Sequence, residues 1–76
     1  MKVIVNVYLK NGVLDPAGKA TKDALESLGF GGVNDVRIGK QIILNLNENT
    51  TDEEIKKMCE ELLANTVIED YEILKG

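Results

Sequence analysis

The chain has 76 residues, a net charge of −4 and a single cysteine. A chain of this length forms one domain, residues 1–76, and because it buries a small share of its surface it usually needs an additional cross-link, a metal or a partner for stability. One cysteine excludes an intrachain disulfide, and the lack of histidine excludes a Cys/His zinc site. Association with further protein chains remains as the stabilising element, so we expect a homodimer or a homotetramer.

The same composition disfavours several classes of partner. Nucleic-acid binding needs a basic surface and stacking aromatic side chains, whereas this chain is acidic and has three aromatic residues. No apolar run approaches the roughly 20 residues of a membrane-spanning helix. Residues 1–7 alternate without a cleavage-site pattern, which predicts a strand rather than a signal peptide. A free thiol without a targeting segment indicates the cytoplasm.

The first predicted strand covers residues 2–10. One of its faces is formed by Val3, Val5, Val7 and Leu9. The opposite face includes Ile4 and Tyr8, which are apolar enough to be partly covered. Asn11-Gly12 then predicts a turn.

The first predicted helix begins at Asp15-Pro16, because Asp is a good N-cap and Pro is well tolerated at the first helical position. Gly29 ends the helix as a left-handed cap. Its apolar stripe consists of Ala17, Ala20, Ala24, Leu25 and Leu28. Such small residues predict close packing of the helix on the sheet.

The most regular alternation lies in the middle of the chain and passes through Gly39. Its even positions are Val36, Ile38, Lys40, Ile42, Leu44 and Leu46. This pattern predicts one long strand, and a hairpin turning at Gly39-Lys40 is the weaker alternative because it would place Gln41 in the core. Residues 33–47 would span about 50 Å, whereas a compact chain of this size is about 30 Å across. We therefore expect a bulge at Gly39 and a projecting part that pairs with another chain.

A second helix and a last strand complete the order. Thr51 and Glu54 form a capping box, Asn65 is the expected C-cap, and residues 67–75 form the strand. The apolar stripe of the helix consists of Ile55, Met58, Cys59, Leu62 and Leu63.

The predicted fold is α+β with the order β-α-β-α-β. Two helices cover one face of a small, mainly antiparallel sheet with a long, bent central strand. The other face still shows Ile4, Tyr8 and Ile43, and a half-apolar second face is what a sheet-mediated dimer needs.

Few residues are candidates for chemistry. Cys59 lies in an apolar stripe and has no histidine as a base, so we interpret it as a core residue rather than a nucleophile. The glycine-rich residues 29–34 connect a helix to a strand, the reverse of a dinucleotide-binding loop. Arg37 and Lys40 flank Gly39 and could contact the carboxylates of a partner, bind phosphate, or remain solvated charges. No catalytic residue and no metal ligand is assigned.

Two segments resemble the PurS family. They are residues 9–20 (Leu-Lys-Asn-Gly-Val-Leu-Asp-Pro-Ala-Gly-Lys-Ala) and residues 36–40 (Val-Arg-Ile-Gly-Lys). The resemblance extends over essentially the whole chain, including its length, its element order and its acidic second helix. Neither segment alone is specific, but their combination is.

The resemblance implies that the chain is the small scaffold subunit of phosphoribosylformylglycinamidine synthase. In that enzyme a PurQ glutaminase subunit releases ammonia from glutamine. A PurL synthetase subunit uses ATP and magnesium to activate the amide oxygen of formylglycinamide ribonucleotide, and ammonia displaces the phosphate to give the amidine of de novo purine biosynthesis. The PurS dimer bridges the other two subunits, and the resemblance implies no cofactor bound by this chain.

We expect the partner interface to include Arg37 and Lys40 at the rim, together with Ile4, Tyr8 and Ile43. An alternative of another class is a regulatory module similar to the amino-acid-sensing small α/β domains, which bind ligands at an interface. The glycine-rich connector at residues 29–32 is the only feature that favours it.

Overall fold

The computed structural model describes all 76 residues, from Met1 to Gly76. In chain order its elements are β1 (Lys2–Leu9), α1 (Pro16–Ser27), β2 (Lys40–Asn45), α2 (Asp52–Met58) with a following π-helical turn (Cys59–Leu63), and β3 (Glu69–Lys75). The strands form one sheet in the order β2-β1-β3, and both outer strands are antiparallel to β1. The predicted α+β class and element order are confirmed.

One face of the sheet carries the core. Val3, Val5 and Val7 alternate along β1 and are almost completely buried. Ile55 of α2 and Cys59 of the π-helical turn belong to the same apolar cluster. The second helix therefore covers this face of the sheet, as predicted.

Thr51 caps α2 in a way that differs slightly from a capping box. Its Oγ1 accepts the N–H of Glu54 at 3.2 Å, and its hydroxyl donates to Oε1 of Glu54 at 3.2 Å. In a capping box the carboxylate of Glu54 would accept the main-chain N–H of Thr51, whereas here it accepts the hydroxyl of Thr51. The first turn of the helix also carries Asp52 and Glu53, whose charges complement the helix dipole.

The end of the second helix departs from the prediction because its last turn is π-helical. The N–H of Ala64 bonds to the carbonyl of Cys59 at 3.0 Å, and such a turn rotates the following side chains relative to an α-helical stripe. Leu62, predicted to face the sheet, is 82% exposed, and Ala64 is buried instead. Ala64 rather than Asn65 is the C-cap, and β3 begins at Glu69, later than predicted.

The central strand is shorter than predicted. β2 contains only Lys40–Asn45, and residues 33–39, here called the arm, precede it without joining the sheet. The cause is that β1 extends only two residues beyond Val7, the partner of Lys40, so most of the arm has no strand beside it within the chain. The hairpin is excluded, because β2 pairs with β1 and not with the arm. A Cβ on Gly39 would lie 2.5 Å from the carbonyl oxygen of Val7, so close backbone approach requires the glycine.

The ends of α1 are as predicted, but its position is not. Asp15 caps the helix by accepting the N–H of Gly18 at 2.9 Å, Pro16 is its first residue, and Gly29 follows it with φ of +98°. No residue of α1 belongs to the core, and Leu28 is 74% exposed. The expectation that both helices cover the sheet is therefore wrong for this chain alone. The stripe of small alanines offers too little apolar area to hold α1 on the sheet.

The molecule is elongated. Its principal dimensions are 50 × 25 × 14 Å, and its radius of gyration is 15.7 Å. A compact chain of this length has a radius of gyration of about 11 Å. The arm and α1 extend away from the sheet, which confirms that part of the chain projects. None of the helices has the length and apolar character needed to cross a bilayer.

Candidate functional site

The sheet face opposite α2 is uncovered and is here called the open face. It consists of Lys2, Ile4, Asn6 and Tyr8 of β1, Gln41, Ile43 and Asn45 of β2, and Asp70, Glu72 and Leu74 of β3. The three apolar residues predicted for a second face, Ile4, Tyr8 and Ile43, all belong to it. Tyr8 is 43% exposed and Ile43 is 53% exposed.

Side chains on the open face are arranged in rows that cross the three strands. Ile4 lies opposite both Ile43 and Leu74, which makes one apolar row. A polar row lies beside it, in which Asn6 donates to Oε1 of Glu72 at 2.9 Å and Oδ1 of Asn6 accepts from Gln41 at 3.1 Å. Three polar side chains are thus linked to one another beside the apolar row, which lowers the cost of covering this part of the face with another surface.

Lys10 and Asp70 bound the far end of this face with an ion pair of 2.9 Å. Both side chains are partly exposed, so the pair contributes little to stability. A protein surface that contacts this edge would meet two charges that already neutralise each other rather than two isolated charges. The open face therefore combines an apolar row with polar side chains that are partly paired with one another, as the centre and rim of a protein interface do.

Arg37 and Lys40 lie on opposite sides of Gly39 but do different things. Nη2 of Arg37 donates to the carbonyls of Leu9, at 2.6 Å, and of Lys10, at 3.0 Å, so this side chain fastens the arm to the end of β1. The side chain of Lys40 is exposed and makes no hydrogen bond and no ion pair. The structure thus does not bring the two cations together into one anion site. Of the two charged groups, the ammonium of Lys40 is the one that makes no contact within the chain.

A groove that sequence analysis missed lies between the start of α1 and the arm. It has a volume of about 490 Å³, and its lining includes Asp15, Lys19, Lys22 and Arg37. Asp15 had been assigned only as a helix cap, but its Oδ2 also accepts the N–H of Ile38 at 3.0 Å. No periodic pattern could have shown this bond, because it joins residues far apart in the sequence.

Both lysines of this groove are paired with carboxylates one turn along α1. Lys19 lies 3.5 Å from Asp23, and Lys22 lies 3.0 Å from Glu26. The hydrogen bond and the charge of Glu26 raise the pKa of Lys22. The N–H groups of Ile38 and Gly18 lower the pKa of Asp15. The groove is therefore a polar, charge-balanced junction between two elements rather than an apolar ligand pocket.

Cys59 is fully buried against β1, which confirms its interpretation as a core residue. Burial raises the pKa of its thiol, and the charge of Glu60 adds to the effect. A neutral, inaccessible thiol is a poor nucleophile. No group of three or more His, Cys, Asp or Glu residues is placed to hold a metal ion.

A second exposed apolar region lies at the arm and the ends of α1. It consists of Leu14, Leu28, Phe30 and Ile38, of which Leu14 is 75% exposed and Phe30 is 58% exposed. Sequence analysis had placed Leu28 against the sheet, and the structure leaves it without cover. The chain therefore presents apolar side chains both on the open face and at the arm, which makes both regions candidates for contact with other proteins.

Known proteins resemble this chain in both sequence and structure. A family model described as "PurS: Phosphoribosylformylglycinamidine (FGAM) synthase" matches residues 2–75. The phosphoribosylformylglycinamidine synthase subunit PurS of Bacillus subtilis (strain 168) is 53% identical over 72 residues, which cover 92% of this chain and 86% of that protein. A crystal structure of B. subtilis PurS superposes with a TM-score of 0.86 at 51% identity, covering 96% of this chain and 94% of the other. A chain from the structure of PurLQS from Thermotoga maritima superposes with a TM-score of 0.81 at 36% identity, covering 96% and 93%.

Proposed function

Because the chain belongs to the PurS family of phosphoribosylformylglycinamidine synthase subunits, we propose that its exposed surfaces hold a PurL-like synthetase subunit and a PurQ-like glutaminase subunit together. The chain is a subunit of a glutamine-dependent ligase of purine biosynthesis. Its partners are PurL and PurQ, which accompany PurS in the T. maritima structure. The amino-acid-sensing alternative is not supported, since the relatives described above are PurS proteins.

The chemistry of this enzyme divides among its subunits. The glutaminase releases ammonia, and the synthetase uses ATP and magnesium to activate the amide oxygen of formylglycinamide ribonucleotide. Ammonia then displaces phosphate and gives the amidine. The PurS chain contributes attachment and position, because its one thiol is buried in the core and one of its two groove carboxylates, Asp15, is occupied by two N–H groups.

The observation that carries this proposal is the large apolar surface that a single chain leaves uncovered. Only seven of 76 residues are buried, although 43% of the residues are hydrophobic. Ten large hydrophobic side chains are exposed, and they lie on more than one side of the molecule. A subunit that must contact a copy of itself and two different partners needs several such surfaces at once.

We assign these surfaces by their chemistry. The open face, with Ile4, Tyr8 and Ile43, combines apolar side chains with polar side chains that are partly paired with one another, which suits contact with a second copy of the chain. Lys40 is unpaired and suits a carboxylate on PurL or PurQ. Arg37 keeps the arm in position for that contact through its bonds to β1. We place this assembly in the cytoplasm. Residues 1–76 act in it as a single domain.

The test is reconstitution of the reaction from purified PurL-like and PurQ-like subunits with and without this chain. With glutamine as the nitrogen source, amidine formation should depend on the chain. With an ammonium salt instead, the synthetase should work without it, because no ammonia has to pass between subunits. Equal glutamine-dependent rates with and without the chain would refute the bridging function. A requirement for the chain even with ammonium would instead assign it to the synthetase reaction.

A further inference from the structure

The turn after β1 places the side-chain amide of Asn11 next to the main-chain N–H of Gly12, and no other group of the chain covers them. Asn11 and Gly12 are both exposed. Gly12 has φ of +85°, and a Cβ added there would meet no atom within 4 Å. The hydrogen bond that closes the turn runs from the N–H of Val13 to the carbonyl of Lys10 at 3.1 Å, so the N–H of Gly12 is left free. The side-chain amide of Asn11 makes no hydrogen bond either.

The other asparagines of the chain lack this combination. They are Asn6, Asn34, Asn45, Asn47, Asn49 and Asn65, and each is followed by a residue with a side chain. For two of them the following N–H is also occupied: Leu46 donates to Met1 at 2.8 Å, and Thr50 donates to Asn47 at 3.0 Å. Asn11 is therefore the one asparagine followed by glycine, so no side chain hinders the approach of the next main-chain nitrogen to the side-chain amide of the asparagine.

We propose that Asn11 is a site of spontaneous deamidation. The main-chain nitrogen of Gly12 attacks Cγ of Asn11, the carboxamide nitrogen leaves as ammonia with the proton from the N–H, and a five-membered succinimide ring forms. Water then adds to either ring carbonyl and opens the ring to aspartate or to isoaspartate. The sum consumes one water and releases one ammonia, so no oxidant, reductant or enzyme is needed.

The product changes a junction that holds the arm. Isoaspartate routes the main chain through one additional methylene between Lys10 and Gly12. The carbonyl of Lys10 accepts both the N–H of Val13 and Nη2 of Arg37. Lengthening the chain at this point moves that carbonyl relative to the arm, and the new carboxylate adds a negative charge to a chain of net charge −4.

The experiment incubates the full chain at mildly alkaline pH and physiological temperature and follows each asparagine by peptide mass spectrometry. Trypsin releases a peptide that begins at Asn11, and an isoaspartate-specific methyltransferase labels the rearranged product. We expect conversion at Asn11 to be faster than at any other asparagine by about an order of magnitude, equivalent to a barrier lower by about 1.4 kcal/mol. Equal or faster conversion at any other asparagine, or an intact Asn11, would overturn the proposal.

The matched control is Asn11→Gln, which keeps the amide and the charge but would require a six-membered ring. The exposed position tolerates this change, so the variant should fold and should lose most of the ammonia release. The same ammonia release from Asn11→Gln as from the unaltered chain would place the reaction elsewhere and contradict the assignment to Asn11.

Discussion

The carboxylate of Asp15 accepts the main-chain N–H of Ile38 at 3.0 Å while also capping α1 through the N–H of Gly18 at 2.9 Å. One side chain thus joins the helix to the arm. Arg37 in turn joins the arm to the end of β1. The orientation of α1 is therefore set by polar contacts with the arm rather than by apolar packing on the sheet.

Substituting Gly18 by Ala tests how tightly α1 and the arm are packed. The added Cβ would lie 2.2 Å from the carbonyl oxygen of Val36, a main-chain atom that cannot move without displacing the arm. Overpacking of this kind costs about 1–3 kcal/mol, which exceeds the up to about 1 kcal/mol that Ala gains over Gly in a helix. Urea denaturation should show a lower free energy of unfolding for Gly18→Ala.

Gly31→Ala is the control for this change. A Cβ at Gly31 meets nothing within 4 Å, and its φ lies outside the left-handed region. The free energy of unfolding should stay the same or rise by less than about 1 kcal/mol. A Gly18→Ala variant as stable as Gly31→Ala would contradict the tight contact between α1 and the arm.

The bonds of Asp15 predict a dependence of stability on pH. Its pKa is lowered from 3.8 in the folded chain by the N–H groups of Ile38 and Gly18. The stabilisation is therefore complete at pH values above 3.8 and is lost as the pH falls through the lower, folded-state pKa. Asp15→Ala should be less stable than the unaltered chain at neutral pH, and thermal unfolding should show this difference shrinking in acid. A difference that stays constant with pH would show that the carboxylate charge is not involved.

The local signals in the sequence predicted local structure well. Asp15 and Pro16 mark the start of α1, Gly29 follows its end, and alternation along β1 places Val3 and Val5 in the core. These features depend on neighbours in the chain, so spacing is sufficient to find them.

Features that depend on distant neighbours were predicted less well. The alternation through Gly39 predicted a long strand, but a strand needs a partner, and β1 extends only two residues past Val7, which pairs with Lys40. The π-helical turn that exposes Leu62 has no signature in apolar spacing. The open face was found because alternation fixes both sides of a strand, whereas the bond between Asp15 and Ile38 has no periodic signal.

Lys40 provides a test of the proposed contact with PurL or PurQ. Since its ammonium is unpaired in the chain, Lys40→Glu should leave the unfolding free energy nearly unchanged while weakening assembly about fivefold, roughly 1 kcal/mol. Binding to each partner would be measured at low and at moderate salt, and the loss should be larger at low salt. Lys56→Glu, at another exposed and unpaired lysine that lies on α2, is the matched control. Equal losses for both variants would reveal a general charge effect instead of a contact at Lys40.

Ile43 tests the open face as the surface for self-association. It is 53% exposed, so Ile43→Thr should change the stability of a single chain by no more than about 0.5 kcal/mol. If a second copy buries this residue, sedimentation velocity should show dissociation at higher protein concentration than for the unaltered chain. Val67→Thr, at a residue that is 83% exposed in the connection before β3, serves for comparison. A stronger effect of Val67→Thr would move the interface away from the open face.

Cys59 tests the interpretation of the core. It is fully buried, and its pKa is raised from 9.0 by burial and by Glu60, so the thiol should not react with thiol-specific reagents until the chain unfolds. Because the folded state holds this proton more tightly than the unfolded state, stability should fall as the pH rises above 9.0.

Cys59→Ser should lower the free energy of unfolding by about 1–3 kcal/mol, since a hydroxyl without a partner replaces the thiol. Cys59→Ala removes the sulfur without adding a polar group, so it should be the milder change in urea denaturation. Rapid labelling of the folded chain would instead mean that the helix over the sheet opens readily.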